Sequence, residues 1–164
     1  MVLLFPFLFA FAKNEENNGA KNYFDVPLEE KIQDTLIDLC AKYEIDPVLI
    51  LSVIKHESEF NANTISKKNK NGSIDYGLMQ INNINHDRLE KEIGINNFLD
   101  PEQNIHAGIY MLSELLKRYE LQEALICYNM GERKFKELSA QGIKATPYTK
   151  KITEIMQTIK CKDA

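Results

Sequence analysis

The sequence predicts a mainly α-helical fold built as a single domain. Three segments open on a capping residue followed by proline: Asp46-Pro47, Asp100-Pro101 and Thr146-Pro147. Such pairs start helices because the cap's side-chain oxygen takes up a free backbone N–H, while proline lacks the N–H that would go unpaired. Downstream of each pair, apolar residues recur at helical spacing. The length of 164 residues allows one domain with a real core, and no internal repeat divides it.

Taken in order, residues 1–12 (MVLLFPFLFAFA) are apolar and end in Ala10-Phe11-Ala12, the small-x-small pattern of a secretory cleavage site. The run is too short to span a bilayer and reads as a signal peptide, although no Lys or Arg precedes it; a retained hydrophobic anchor is the alternative. Lipoprotein processing would need a cysteine where Lys13 stands. Residues 13–24 are expected to form a flexible linker, polar and asparagine-rich up to Asn22, and residues 25–164 the folded domain. Pro27 is expected to open a first helix with Leu28, Ile32, Leu36, Leu39, Cys40 and Tyr43 on its apolar face. The second helix runs from Pro47 to about Ser58, and residues 61–73 (NANTISKKNKNGS) form a loop. A short polar helix from Asn85 to Glu92 closes at Gly94. The helix after Asp100 carries Ile105, Ile109, Leu112 and Tyr119 on one side, and Gly108 permits close contact there. Leu121 to Met130, ended by Gly131, Glu132 to Ala140, and a last helix from Pro147 with Tyr148, Ile152, Ile155, Met156 and Ile159 inward complete the chain.

Within this frame Glu57 is the residue that invites chemistry. Leu49, Val53 and Glu57 are spaced by four, so the carboxyl continues an apolar stripe at the end of the second helix. Desolvation there raises a carboxyl pKa and keeps the proton on near neutrality, as a general acid requires. Glu59, two residues on, points elsewhere. Glu57-Ser58-x-Phe60-Asn61, then Ser66, then Gly77-Leu78-Met79-Gln80, then Tyr128-Asn129-x-Gly131 stand in an order that resembles the soluble lytic transglycosylase (SLT) family of the lysozyme superfamily. The likeness covers roughly Ile45 to Ile152 and includes Asp100-Pro101-x-x-Asn104-Ile105-x-Ala107-Gly108, the family's central helix.

The resemblance implies a lysozyme-like α+β arrangement, with a short extended or hairpin segment beside a catalytic groove; Ile74, Leu78 and Ile81 would supply its buried side. It also implies cleavage of the β-1,4 bond between N-acetylmuramic acid and N-acetylglucosamine in peptidoglycan. Glu57 would act as acid and then base, closing a 1,6-anhydro ring with no second carboxylate. In supporting roles, Ser66 would meet the acetamido group or orient Glu57. Gly77, Leu78, Met79 and Gln80 would form a sugar-binding loop, joined by Asn82. Tyr128 would offer its phenol to Glu57 or substrate, Asn129 would secure adjoining backbone, and Tyr148 would line the groove or pack in the core. The chain departs from the family at Cys127 and Met130, where small residues are usual, at Asn63, and in a longer loop before Gly77. The Lys68-Asn69-x-x-Gly72-Ser73-x-Asp75-Tyr76-Gly77 loop resembles members that serve secretion or conjugation systems, which implies an exported, periplasmic protein opening the wall locally for such a machine.

Other classes fit less well. A net charge of −4 disfavours a nucleic-acid binder. The 61–75 stretch lacks the alternating carboxylates of a calcium loop, and His56, His86 and His106 have no metal spacing, so neither metal nor cofactor is expected. Export permits a disulfide, and Cys40 on the first helix with Cys161 at the end of the last are the candidate pair; Cys127 reads as a small packing group. Two alternatives stay open: a muramidase that activates water with Asp75 or Glu59, and a wall-binding scaffold without turnover.

Overall fold

Helix α4 (Pro101–Leu116) is the element around which the others pack. Asp100 caps it, Oδ1 accepting from Gln103 N at 2.9 Å, and Pro101 takes its first position. Asn104, Ile105, Ala107, Gly108, Ile109 and Leu112 are buried, on more than one face, which marks a helix inside the core rather than on it. Helices α1 (Glu30–Tyr43) and α5 (Leu121–Met130) pack against it. The computed structural model describes residues 22–162, so the expected signal segment and most of the linker lie outside the described residues.

Helix α2 (Pro47–Ser58) is also enclosed. Asp46 Oδ1 accepts from Val48 N at 2.8 Å, and the unbroken run from Leu49 to Ile54 is buried. It packs chiefly against α7 (Pro147–Met156), which starts on a reciprocal capping box between Thr146 and Thr149. Two shorter helices complete the set, α3 (His86–Ile93), ended by Gly94, and α6 (Glu132–Ala140), which follows α5 after Gly131 alone and packs on it. The helix starts at Pro47, Pro101, Leu121, Glu132 and Pro147 fall where the sequence places them.

Three expectations at the chain ends are corrected. The first helix begins at Glu30, not Pro27: the buried Gln33 amide accepts from Phe24 N and donates to the carbonyls of Phe24 and Leu28, holding that stretch as a loop. Phe24, assigned to the linker, is buried and belongs to the domain. Cys40 and Cys161 are free thiols, Cys40 buried and Cys161 exposed. Cys161 pairs with Phe24 ahead of α1, whereas Cys40 lies ten residues into that helix. Ten residues are about 15 Å of helix, too far for a disulfide's Cα separation of about 4–7 Å. Backbone bonds tie the ends instead, from Asp25 N to Lys160 O and from Lys162 N to Tyr23 O.

The extended segment is an antiparallel hairpin, β1 (Asp75–Tyr76) with β2 (Ile81–Asn82), pairing Asp75 with Asn82 and Tyr76 with Ile81. Leu78 and Ile81 are buried as expected, while Ile74 is only half-covered. Gly77 sits at φ +74°, where a Cβ would run into the Asn104 amide and the Phe98 carbonyl. On the facing helix, a Cβ on Gly108 would collide with the Met79 side chain. The two glycines let the turn seat directly on α4. Gly108→Ala is therefore expected to destabilise the fold by about 1–3 kcal/mol, read from urea unfolding.

Candidate active site

Glu57 occupies the last turn of α2, just before Glu59 and Phe60, which both take left-handed backbone angles and turn the chain away. Its partly buried side chain lies in the floor of a groove of about 950 Å³, walled on one side by Asp75, Gln80 and Asn82 of the hairpin region. The other wall near Glu57 carries Cys127, Tyr128 and Asn129 from α5. Burial lifts the Glu57 pKa to about 7; a hydrogen bond donated by Tyr148 favours the charged form and works against the rise, while the negative charge of Asp75 adds to it.

The phenol that meets Glu57 is that of Tyr148, expected to line the groove or pack in the core, and not that of Tyr128. Tyr148 donates to Glu57 Oε1 at 2.8 Å and is buried, with its ring edge-on to His56 at 5.0 Å. Burial first, and then the neighbouring Glu57 charge, keep its phenol protonated far above the usual range. Tyr128 instead donates to Met79 O at 2.9 Å, bracing the 77–80 turn. Burial, then the charges of Glu57 and Asp75, raise its pKa well above the usual phenol range.

Ser66 does not reach Glu57. Its hydroxyl donates to Asp75 Oδ2 at 3.2 Å and accepts from Asp75 N at 2.9 Å, pinning the start of the hairpin. Asp75 also receives Asn69 Nδ2 at 3.0 Å and Asn82 Nδ2 at 2.6 Å. Gln80, at φ +48°, donates its amide nitrogen to Thr64 O and Gly77 O, so the amide oxygen is what it can offer in the groove. Asn129 is exposed on the groove wall rather than securing backbone. Gly77, Leu78 and Met79 are buried and shape the turn from beneath.

One residue that the sequence placed only in the central-helix motif turns out to organise the turn. Asn104 on α4, wholly buried, accepts from Met79 N at 2.8 Å and donates to Tyr76 O and Phe98 O at 2.8 Å each. A lone amide inside an otherwise apolar helical face was the signal for it, since such a group is buried only when its hydrogen bonds are met. Among the described residues no cluster of metal-ligating side chains occurs.

The fold is lysozyme-like, as seen against a solved structure, the inactive E503Q mutant of lytic transglycosylase Slt from Pseudomonas aeruginosa. It superposes with a TM-score of 0.58 at 16% identity, over 75% of this chain and 22% of that one. The family model described as Transglycosylase SLT domain matches residues 35–149, and the chain belongs to that family. Among relatives, a transglycosylase of Enterobacteria phage PRD1 is 35% identical over 99 residues, 60% of this chain and 34% of the phage protein. Protein IpgF of Shigella flexneri is 34% identical over 55% of this chain and 60% of its own length. Invasion protein IagB of Salmonella typhi is 34% identical over 54% of this chain and 57% of its own. The chain thus matches a third to three fifths of these relatives' lengths.

Two outcomes follow from the Glu57 environment. Because its folded pKa of about 7 lies above the ordinary 4.5, the native state binds more protons than the unfolded chain between those values, and Glu57 weakens the fold as pH rises through that window. Glu57→Gln is expected to be more stable than wild type by about 2 kcal/mol at about pH 8, with the gap closing in acid, measured by denaturant titration across pH. Tyr148→Phe removes the bond that favours the ionised acid, so the Glu57 titration followed by carbon-13 NMR is expected to move upward.

Proposed function

We propose that this protein is a peptidoglycan lytic transglycosylase with Glu57 as its single acid–base group. The observation that carries the reading is one carboxyl with a pKa of about 7 in the floor of a polar groove, hydrogen-bonded to Tyr148. Such a group holds its proton long enough to give it up and returns to the charged form at little cost. Protonated Glu57 gives its proton to the glycosidic oxygen as the bond from muramic C1 breaks, the bonding pair staying with the leaving oxygen. The substrate's own 2-acetamido oxygen supports the electron-poor C1. The Glu57 carboxylate then takes the proton from the muramic 6-hydroxyl, O6 bonds to C1, and the acetamido oxygen is released. Glu57 ends protonated, and no water is consumed. Gln80 Oε1 and Asn129, which line the groove, would bind sugar hydroxyl and acetamido groups, while Asn82, bonded to Ser73, Asp75 and Ile84 N, would hold the hairpin beside them.

Family membership and the lysozyme-like fold support this chemistry, and a wall substrate implies work outside the cytoplasm. We assign the protein to local opening of the wall for an envelope-spanning machine, supported by the 68–77 loop and by a relative named as an invasion protein. A second reading, a water-using muramidase, rests on Asp75, which lines the same groove and acts electrostatically on Glu57. Glu59 is a poorer candidate, since it lies on a separate cavity with α7 residues.

Purified sacculi digested with the full chain and examined by mass spectrometry separate the two. Anhydromuramic ends are expected, lost in Glu57→Gln; reducing muramic ends that vanish in Asp75→Asn would establish the muramidase instead. If Glu57→Gln digests sacculi at the wild-type rate, both readings fail. The wild-type rate is expected to fall about tenfold per pH unit above the Glu57 pKa, as the acid loses its proton.

A further inference from the structure

Two consecutive residues at the end of α2 face different spaces. Glu57 lines the groove, whereas His56 lines a second cavity of about 690 Å³. A helix dictates that division, since neighbours in sequence point about 100° apart around its axis. Tyr148 lies between the two residues, buried and lining neither space. Its phenol donates to Glu57 Oε1 at 2.8 Å. Its ring meets His56 edge-on, with centroids 5.0 Å apart and planes at 75°. His56 thus holds the ring and Glu57 the tip of one side chain.

The Tyr148 backbone is fixed as the second residue of α7, inside the capping box of Thr146 and Thr149. The side chain still has two torsions to settle. A hydrogen bond at its tip constrains where the oxygen goes and leaves the ring free to tilt. An edge-to-face contact constrains the tilt, because aromatic pairs favour particular angles. His56 is itself exposed, and it covers the buried Tyr148 ring on that flank.

We propose that His56 is a positioning residue for the acid: its ring keeps the Tyr148 phenol aimed at Glu57 Oε1, and through that bond sets how readily Glu57 releases and recovers its proton. This rests on the reading of Glu57 as the acid–base group and deepens it. The imidazole acts here as an uncharged ring. Lys55 and Glu59 share its cavity from the end of α2, Lys151 and Glu154 from α7, and Asp25 from ahead of α1. Burial first, and then the Lys151 charge, hold the His56 pKa below the ordinary 6.5, so the ring is largely neutral where Glu57 titrates.

The test follows the Glu57 titration by carbon-13 NMR in the full chain, without substrate. It compares wild type, His56→Ala, His56→Phe, Tyr148→Phe and the double variant His56→Ala/Tyr148→Phe. Losing the ring contact weakens a bond that favours the charged carboxylate. His56→Ala is therefore expected to raise the Glu57 midpoint by about 0.5 on the pH scale, about a threefold change in proton affinity. His56→Phe, which keeps an uncharged ring, is expected to restore the wild-type midpoint. The double variant is expected to match Tyr148→Phe alone, because His56 acts through that hydroxyl. The alkaline limb of sacculus digestion is expected to move with the midpoint. An unmoved or lowered midpoint in His56→Ala, or a further rise of the same size in the double variant, overturns the proposal. The titration needs no wall, so the two readings fail separately: sacculi left intact by wild type would overturn the wall-cleaving reading while the coupling through Tyr148 stood.

Discussion

Taking one carboxyl group partly out of water is the constraint on which this structure turns. α2 can place Glu57 in a groove floor because the helix behind it runs through the core, buried from Leu49 to Ile54. Water cannot follow the side chain down to its base, so the charged form is penalised. The helix end adds to this, since the C-terminal turn carries partial negative charge that repels a carboxylate. Left alone, these effects would strand the acid in its neutral form. The Tyr148 hydroxyl offsets them by donating to Oε1, and the balance falls near neutrality. A group that must first release a proton and then recover one needs both forms within easy reach.

The opposite side of the groove is held by the same economy of buried polar groups. A four-residue turn whose ends are only two residues of strand each would be loose in water. Here its backbone is used up internally: Met79 N goes to Asn104, Met79 O to Tyr128, and Gly77 O to both Gln80 backbone and side chain. Leaving any of these unpaired at such depth would cost about 1–3 kcal/mol, so the turn has one favourable seating. Gly108 makes room for Met79 beneath it, and α4 thereby transmits its rigidity to Gln80 at the groove surface.

How much of this was legible beforehand depends on how local the physics is. Caps and prolines act within one turn, so Asp46-Pro47, Asp100-Pro101 and Thr146-Pro147 announced their helices, and a spacing of four carried Glu57 onto the covered face of α2. Which phenol meets that acid is another matter. It is decided by the packing of α7 on α2, ninety-one positions apart in chain, and Tyr148 looked from its own helix like any inward aromatic. Ser66 and Tyr128 stood in motifs next to the acid in sequence order, yet each is spent on bracing the hairpin. The free thiols reflect a similar limit: Cys40 and Cys161 look close when helices are counted, and the length of α1 separates them.

Asp75 shows why a second carboxylate in the groove does not by itself make a hydrolase. A water-activating base must present an oxygen with a lone pair open toward the attacking water. Asp75 Oδ2 already accepts from Ser66 and Asn69, and Oδ1 accepts from Asn82 at 2.6 Å. Three donors on two oxygens fix the carboxylate's orientation in the hairpin and occupy the lone pairs a water would need. Its contribution to Glu57 is then electrostatic, a negative charge that helps keep the acid protonated. In that role Asp75 serves either chemistry. The choice between water and the sugar's own 6-hydroxyl as the nucleophile falls to whichever reaches C1 first, and a groove that holds the muramic ring tightly against Glu57 gives the tethered hydroxyl the higher effective concentration.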